Sequence, residues 1–263
     1  MLLLYGFILA LIISFFAYRA HSLSKSGALA ALFLGTIVFG IGGVPWAILL
    51  LTFFITSSLL SRAFKKRKQG LNEKYSKGDQ RDAGQVFANG GLAAAFVIFH
   101  YFYPESSIGW MGFAASLAAV NADTWATELG VLNPTTPRLI TDLRKRVEKG
   151  TSGGISLVGT LASLAGSALI AFLASMFTFN WSSFPITTIA GLLGSLFDSL
   201  LGATVQAMYF CPKDSKETEK HPLHTCGAET IHLRGWPWLT NDWVNFACGA
   251  FGVIVAVASI AIT

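Results

Sequence analysis

Three acidic residues lie inside stretches of sequence that are otherwise apolar. Asp123 and Glu128 belong to the motif NADTWATE, and Asp198 lies within GSLFDSLLGATVQ. Ionisable side chains are costly in hydrocarbon, so they are functional candidates by default. At helical spacing Asn121 and Thr124 share a face with Glu128, while Asp123 lies on an adjoining strip. Oxygen ligands of this kind are typical of Mg²⁺, and we expect Asp123, Glu128 and Asp198 to hold that ion.

A second group of candidate residues forms a glycine-rich loop after a basic segment. The sequence RKRVEKGTSGGIS covers 144–156. Its glycines allow close backbone approach, and N–H groups at a helix start attract anions. The loop is not a Walker A sequence, and taken alone it fits an ordinary helix start equally well. Beside the carboxylates it indicates a phosphate-bearing substrate, bound by Arg144, Arg146, Lys149, Gly150, Thr151, Ser152, Gly153 and Gly154.

Two further segments, and one more residue of GSLFDSLLGATVQ, contribute candidate site residues that are mostly neutral and polar. Asn89 belongs to RDAGQVFANGG, and Asp242 and Asn245 belong to NDWVN. We expect these residues, together with Asn121, Thr124 and Gln206, to line a polar cavity. Helix capping is the alternative for both segments, and it is the expected role of Asn241.

The loop 211–227 contains metal-ligand types at close spacing. Cys211, Asp214, His224 and Cys226 form the pattern C-x₂-D…H-x-C, the outline of a small zinc knuckle in which Asp replaces one Cys. Free thiols in a soluble loop are the alternative interpretation. Both interpretations stay open at the level of the sequence.

The composition of the chain shows which elements must position these residues. Of 263 residues, 53% are hydrophobic and only 13% are charged, whereas soluble domains carry about 25% charged residues. This excludes a disordered chain, a coiled coil and a water-soluble enzyme. The apolar residues form eight runs, which predict an all-α, multi-pass membrane bundle of one domain, 1–263. The runs are 2–17, 27–44, 46–61, 86–103, 109–131, 154–179, 185–210 and 242–262.

The basic residues predict the orientation of the bundle. All 19 Lys and Arg residues lie in alternate connections, namely 18–26, 62–85, 132–153 and 211–241. Loops rich in Lys and Arg face the cytoplasm, so we expect both termini on the other side. The formal charge of +5 then reflects topology, and no nucleic-acid partner is predicted. Asp198, in the middle of 185–210, is expected near the membrane midplane.

Four sequence blocks resemble one known family. NADTWATELGVLN, PRLI…KGTSGGIS, GSLFDSLLGATVQ and NDWVN are similar to segments of the phytyl-phosphate kinase family, which is grouped with the transmembrane protein nineteen family. The resemblance implies transfer of the γ-phosphoryl group of CTP to phytyl or geranylgeranyl phosphate, in tocopherol biosynthesis. It also implies a bacterial inner membrane or a plastid-type membrane, with lipid as the surrounding partner.

Mg²⁺ is the cofactor expected for such a transfer, and Asp123, Glu128 and Lys149 are the expected catalytic residues. A kinase of the free isoprenoid alcohol fits the same sequence. A secondary transporter is the alternative outside enzymes, because a midplane acid and interrupted helices suit a transport site. A scaffold whose polar groups only hydrogen-bond between helices is a third alternative. Transporters of this kind usually have two related halves, and no repeat relates 1–131 to 132–263. The basic loops also lie on one side of the predicted bundle, which favours an enzyme that binds a nucleotide over a transporter.

Overall fold

The structure, a computed structural model, describes residues 2–64 and 80–260. This part of the chain contains eight long helices, as the apolar runs predict. They are α1 Leu2–Arg19, α2 Lys25–Ile37 with a π-helical continuation Val38–Gly42, α3 Val44–Ala63, α4 Ala83–Phe102, α5 Ser107–Gly130, α6 Leu157–Thr178, α7 Ser183–Thr204 and α8 Asn241–Ile260.

Two small antiparallel sheets, which the sequence patterns do not predict, lie in the long connections. The first has the order β2-β1-β3, with β1 Arg138–Leu139, β2 Asp142–Arg146 and β3 Gly154–Ile155. The second has the order β5-β4-β6, with β4 Met208–Cys211, β5 Lys216–Thr218 and β6 Ile231–Arg234. The bundle itself is all-α, and the strands are confined to loops between helices.

The helices have the dimensions and composition of membrane spans. Seven helices of the described part are long and apolar enough to cross a membrane. The remaining long helix, α5, has 24 residues but is less apolar because it carries the polar motif 121–128. The chain is therefore an integral membrane protein with multiple spans, as predicted from its composition.

Helix α5 forms the centre of the bundle and packs against α3, α4, α6, α7 and α8. Small residues allow these helices to approach closely. A Cβ atom on Gly191 of α7 would lie 2.9 Å from the Ala118 carbonyl carbon, and one on Gly194 would lie 2.7 Å from Ala119 Cβ. Because α5 is surrounded by other helices, it can hold polar side chains away from lipid.

The four basic connections meet at one end of the bundle. The Arg81 amide, after α3, donates to Ser22 O at 3.0 Å, after α1. Ser152, after α5, donates to Gln206 Oε1 at 2.8 Å, after α7. The prediction that alternate connections lie at the same end of the bundle, made from the Lys and Arg residues, thus agrees with the arrangement of the helices. Most of the basic cluster of 62–85 lies outside the described residues, and the side of the membrane stays a prediction.

Several predicted helix boundaries differ from the structure by a few residues, and two of the differences change the interpretation of the predicted site. Helix α7 ends at Thr204, and the last residues of the apolar run 185–210 enter strand β4. Asp198 therefore lies about 9 Å from the end of its helix, rather than in the middle of the helix. Helix α6 begins at Leu157 after the N-cap Ser156, so the glycine-rich loop precedes the helix start and does not form it.

Candidate functional site

A cavity of about 310 Å³ opens at the end of the bundle where the basic connections meet. All the helices from α3 to α8 contribute residues to its wall, together with the glycine-rich loop. The wall combines four acidic residues with two basic ones: Asp123, Glu128, Asp198, Glu219, Arg81 and Lys149. The excess of acidic groups in this polar wall favours a cation, or an anionic ligand that binds together with a cation, over an apolar ligand.

Three of the carboxylates form one group across α5, α7 and the second sheet. Asp123 accepts a hydrogen bond from Ser195 of α7. Asp198 lies close enough to Asp123 and Glu219 for their charges to interact. Its Oδ2 atom is buried and has no hydrogen-bond partner among the described residues. Because like charges held together in a buried site repel, this group is suited to a divalent cation.

Glu219 reaches the cavity from the end of strand β5. Gln206 Nε2 donates to Glu219 Oε1 at 2.9 Å. Gln206 Oε1 in turn accepts a hydrogen bond from the Ser152 hydroxyl at 2.8 Å. Gln206 therefore lies behind the cavity wall, where it connects the glycine-rich loop to the carboxylate group.

The glycine-rich loop is held against α7 by close contacts that only glycine permits. Gly150 and Gly153 have φ values of +78° and +83°. A Cβ atom on Gly153 would lie 2.4 Å from Ala203 Cβ, and one on Gly202 would lie 2.4 Å from Ser152 Oγ. The amides of Thr151 and Gly154 donate to carbonyl groups of this loop. Those two amides are thus engaged in turns, contrary to the predicted set of anion-binding amides.

Lys149 is held at the cavity wall by the carbonyl groups that follow α5. Its Nζ donates to Val131 O at 3.0 Å and to Asn133 O at 2.7 Å. A cation at a helix C-terminus also interacts favourably with the helix dipole. The ammonium group therefore has a fixed position beside the glycine-rich loop.

Arg81 and Glu128, which both line the cavity, lie close together. Arg81 Nη1 donates to Ser58 Oγ at 3.0 Å, and Ser61 donates to Glu128 Oε1. Burial lowers the pKa of Arg81 from its ordinary value, and the charge of Glu128 opposes this effect. The guanidinium group stays protonated in proteins, so it presents a fixed positive charge to the cavity.

Comparison with known sequences identifies the family. The sequence model of the integral membrane protein family DUF92 matches residues 8–253. The chain belongs to the DUF92 family. No solved structure matches it.

Three related proteins align with most of this chain. Protein PGR of Arabidopsis thaliana is 33% identical over 273 aligned residues, which cover 93% of this chain and 91% of the relative. An uncharacterized membrane protein of Methanocaldococcus jannaschii is 35% identical and covers 70% of this chain and 75% of its own length. Protein VTE6, chloroplastic, of Arabidopsis thaliana is 30% identical, and the alignment covers 89% of this chain and 64% of the relative. These matches confirm the grouping with the phytyl-phosphate kinase family that the four sequence blocks predict for this DUF92 protein.

Most of the predicted site residues of the DUF92 protein meet at the cavity, although they come from five separate segments. The cavity wall contains Asn89, Asp123, Thr124, Glu128, Lys149, Gly150, Thr151, Ser152, Gly153, Gly154, Asp198 and Asn245. Asn241, for which capping alone is predicted, also lines the cavity. It is the first residue of α8, so its side chain lies at the open end.

Several predicted site residues lie elsewhere. Asn121 is fully buried and donates to Gly166 O at 2.7 Å, so it joins α5 to α6 instead of lining the cavity. Arg144 and Arg146 are exposed on strand β2, because this segment turns away from the glycine-rich loop as part of the first sheet. Asp242 lies in the first turn of α8 but is not part of the wall.

Two charged wall residues were not predicted as ligands from the sequence. Arg81 is one of many basic residues in its connection, and nothing in its local pattern distinguishes it. Glu219 lies in the polar loop 211–227, more than 90 residues from Asp123 in the chain. Glu219 could have been found only from the pairing of strands β4 and β5, which brings the loop back to the bundle. The composition of the loop does not reveal this pairing.

The four residues of the predicted zinc knuckle also come together, but away from the cavity. Cys211, Asp214, His224 and Cys226 lie in the second sheet and its turns, and none of them is part of the cavity wall.

Proposed function

We propose that the protein is a membrane kinase that transfers the γ-phosphoryl group of CTP to an isoprenoid monophosphate. The observation that carries the proposal is a second, apolar groove that lies beside the charged cavity. The groove is bounded by α1, α2, α3 and α4, and it shares Arg81, Gln85 and Asn89 with the cavity. A charged cavity beside an apolar groove would suit a ligand with a phosphate head and a hydrocarbon tail.

The carboxylate group supports a metal-dependent reaction. Asp123, Asp198 and Glu219 would hold Mg²⁺, because they provide hard oxygen ligands and one buried oxygen atom without a hydrogen-bond partner among the described residues. Glu128 lies with Arg81 instead, and Glu219 takes its place in the proposed ligand set. When bound, Mg²⁺ neutralises charge on the nucleotide phosphates.

Two cations and the glycine-rich loop are the proposed phosphate contacts. Lys149 lies beside the loop and would bind the nucleotide phosphates, while Arg81 lies where the cavity meets the groove. Arg81 would therefore bind the phosphate of the acceptor, with Gln85 and Asn89 as neutral hydrogen-bonding neighbours. This arrangement brings two phosphate groups together, as phosphoryl transfer requires.

The chemistry needs positioning more than proton transfer. An oxygen atom of the acceptor monophosphate attacks the γ-phosphorus of CTP. The new P–O bond forms as the bond between the γ-phosphorus and the β–γ bridging oxygen breaks, which gives the isoprenoid diphosphate and CDP. The acceptor is already an anion, so no strong general base is required. Arg81 and Lys149 offset the negative charge that accumulates when the two phosphates meet.

The direct test uses purified protein in detergent with Mg²⁺ and CTP labelled at the γ-phosphate. We expect label in a diphosphate when phytyl phosphate is the acceptor and none when phytol is the acceptor. Label from phytol alone would assign the protein as an alcohol kinase. No label from either acceptor, with protein that is folded by size-exclusion chromatography, would overturn the proposal in favour of transport.

The groove makes a separate prediction about the tail. Ala31 lies in the groove wall, and we expect Ala31→Phe to raise the KM for phytyl phosphate about tenfold or more by filling space that the first carbons of the tail occupy. The KM for CTP should stay unchanged. Leu29 lies on the same helix with 69% of its surface exposed, so Leu29→Phe is the matched control. Equal KM values for the two variants would contradict the assignment of the groove.

A further inference from the structure

The second sheet brings together four side chains that bind transition metals. Cys211 ends strand β4, and Asp214 lies in the turn that follows it. His224 and Cys226 lie in the turn before strand β6. One ligand atom from each residue lies within 4.8 Å of those of the other three. The chain thus folds back over more than ten residues to complete a compact set of two sulfurs, one nitrogen and one oxygen.

The separations between these atoms match the edges of a zinc tetrahedron. The two sulfur atoms are 3.5 Å apart, His224 Nδ1 is 3.4 Å from Cys226 Sγ, and the same nitrogen is 3.0 Å from Asp214 Oδ2. With Zn–S near ~2.3 Å and Zn–N or Zn–O near ~2.0 Å, tetrahedral ligands lie about 3.3 to 3.8 Å apart. The observed separations are close to these values.

The surroundings of the cluster also suit a metal site. Cys211 is fully buried, and His224 is only 3% exposed. The Asp214 amide lies 3.5 Å from Cys211 Sγ and donates to it, an interaction that stabilises a thiolate. His224 Nε2 lies 3.4 Å from Thr225 Oγ1, so the second ring nitrogen has a polar neighbour that fixes the ring orientation. The two sulfur atoms are also much farther apart than the ~2.05 Å of a disulfide.

We propose that Cys211, Asp214, His224 and Cys226 bind one structural Zn²⁺ ion. Two soft sulfur donors with one imidazole exclude Mg²⁺ and Ca²⁺ as preferred ions and favour zinc in a tetrahedral geometry. Four protein ligands leave no open position for substrate, which is the property of a structural site rather than a catalytic one.

The position of the cluster gives the ion a role in holding the second sheet. Cys211 pairs with Lys216 at one end of the β4–β5 hairpin, and Tyr209 pairs with Thr218 at the other end. Glu219 follows Thr218 directly and enters the cavity. The zinc ion would therefore fix the hairpin that presents Glu219. The zinc site does not depend on the proposed kinase function, whereas this effect on Glu219 rests on it.

Metal content is the primary test. The protein is purified without a histidine tag from cells supplied with zinc, and zinc is measured by inorganic mass spectrometry. We expect about one zinc ion per chain and a loss to background in Cys211→Ser and His224→Ala. Cys248→Ala and His232→Ala are the controls, because neither residue belongs to the cluster, and both should keep the wild-type zinc content.

Cobalt substitution provides a test that does not depend on how the variants fold. After zinc is removed from the wild-type protein with a chelator, Co²⁺ should produce the visible absorption of a tetrahedral, thiolate-ligated ion, and added Zn²⁺ should abolish it. Wild-type protein that contains no zinc and gives no such spectrum would overturn the proposal. A Cys211–Cys226 disulfide, found by mass spectrometry of the purified protein, would overturn it as well.

The link to the cavity has its own measurement. With Mg²⁺ present throughout, removal of zinc should lower kinase activity, and Zn²⁺ should restore it. If zinc is bound but its removal leaves activity unchanged, the role in presenting Glu219 is wrong while the zinc site stands. If no kinase activity exists at all, the metal content and the cobalt spectrum still decide the zinc site.

Discussion

Asp123→Asn and Asp198→Asn are each expected to reduce kcat by about 10²- to 10³-fold or more, the range seen when one electrostatic contact to the reacting groups is lost. Asn keeps the size of the side chain but removes the negative charge that Mg²⁺ requires. Asp198 has a buried oxygen without a hydrogen-bond partner among the described residues, so its charge has no structural purpose that the described contacts reveal. The measurement is the rate of diphosphate formation at several Mg²⁺ concentrations.

The stability of these variants distinguishes a metal site from hydrogen bonds between helices. Burying an uncompensated charge is unfavourable, so the neutral variants should unfold at the same temperature as the wild type or higher. Asp142 lies exposed on strand β2, and Asp142→Asn is the control that should keep full activity. Retained activity in Asp123→Asn or Asp198→Asn would contradict the metal assignment. A large loss of thermal stability would instead indicate a structural role.

The helices of the bundle could be predicted because the apolar runs are long and nearly uninterrupted. Their ends were harder to place, since membrane helices and buried strands are both apolar. The run 185–210 illustrates this problem, because Met208 and Tyr209 belong to strand β4 yet continue the apolar pattern of α7. The shorter helix moves Asp198 toward one end of the bundle. Asp198 is therefore nearer one end of its helix than the sequence predicts, which weakens the argument for a transporter that rests on a midplane acid.

The composition of the cavity was predictable only in part. The motif NADTWATE and the glycine-rich loop are local patterns, and both contribute to the wall. Arg81 and Glu219 lie in it through tertiary contacts alone. Gly27 shows why such contacts leave little trace in the sequence: a Cβ atom there would lie 2.0 Å from the Arg81 carbonyl oxygen, so a single glycine on α2 permits the approach of Arg81. Without the fold, that glycine is indistinguishable from others in the helices.

The exposed positions of Arg144 and Arg146 show a second limit of sequence patterns. Basic residues next to a glycine-rich loop predict phosphate binding when the whole segment lies on one side of a site. Here strand β2 pairs with β1, and the hairpin carries these side chains into solvent. Lys149 follows the hairpin and is tied to the end of α5, which keeps this one cation of the segment at the cavity.

Gly153→Ala is expected to lower kcat about 10²-fold, because small displacements of groups that position a substrate have effects of that size. Gly153 has a φ of +83°, and a Cβ atom there would lie 2.6 Å from the Ala203 Cα and 2.4 Å from the Ala203 Cβ. Ala203 belongs to α7, so the loop has to move instead of the helix. Its displacement would also shift Ser152, which donates to Gln206, and would separate the phosphate contacts from the carboxylate group.

Gly43→Ala separates this effect from backbone strain. Gly43 has a φ of +81° and nothing within 4 Å of an added Cβ, and it lies between α2 and α3, at the opposite end of the bundle from the cavity. Alanine is strained at both positions, but only Gly153→Ala brings the new methyl group against another helix. We therefore expect Gly43→Ala to lose some thermal stability and keep its kcat. If both variants lose the same fraction of kcat, the glycine-rich loop has no specific part in catalysis, and the phosphate contacts have to lie elsewhere in the cavity wall.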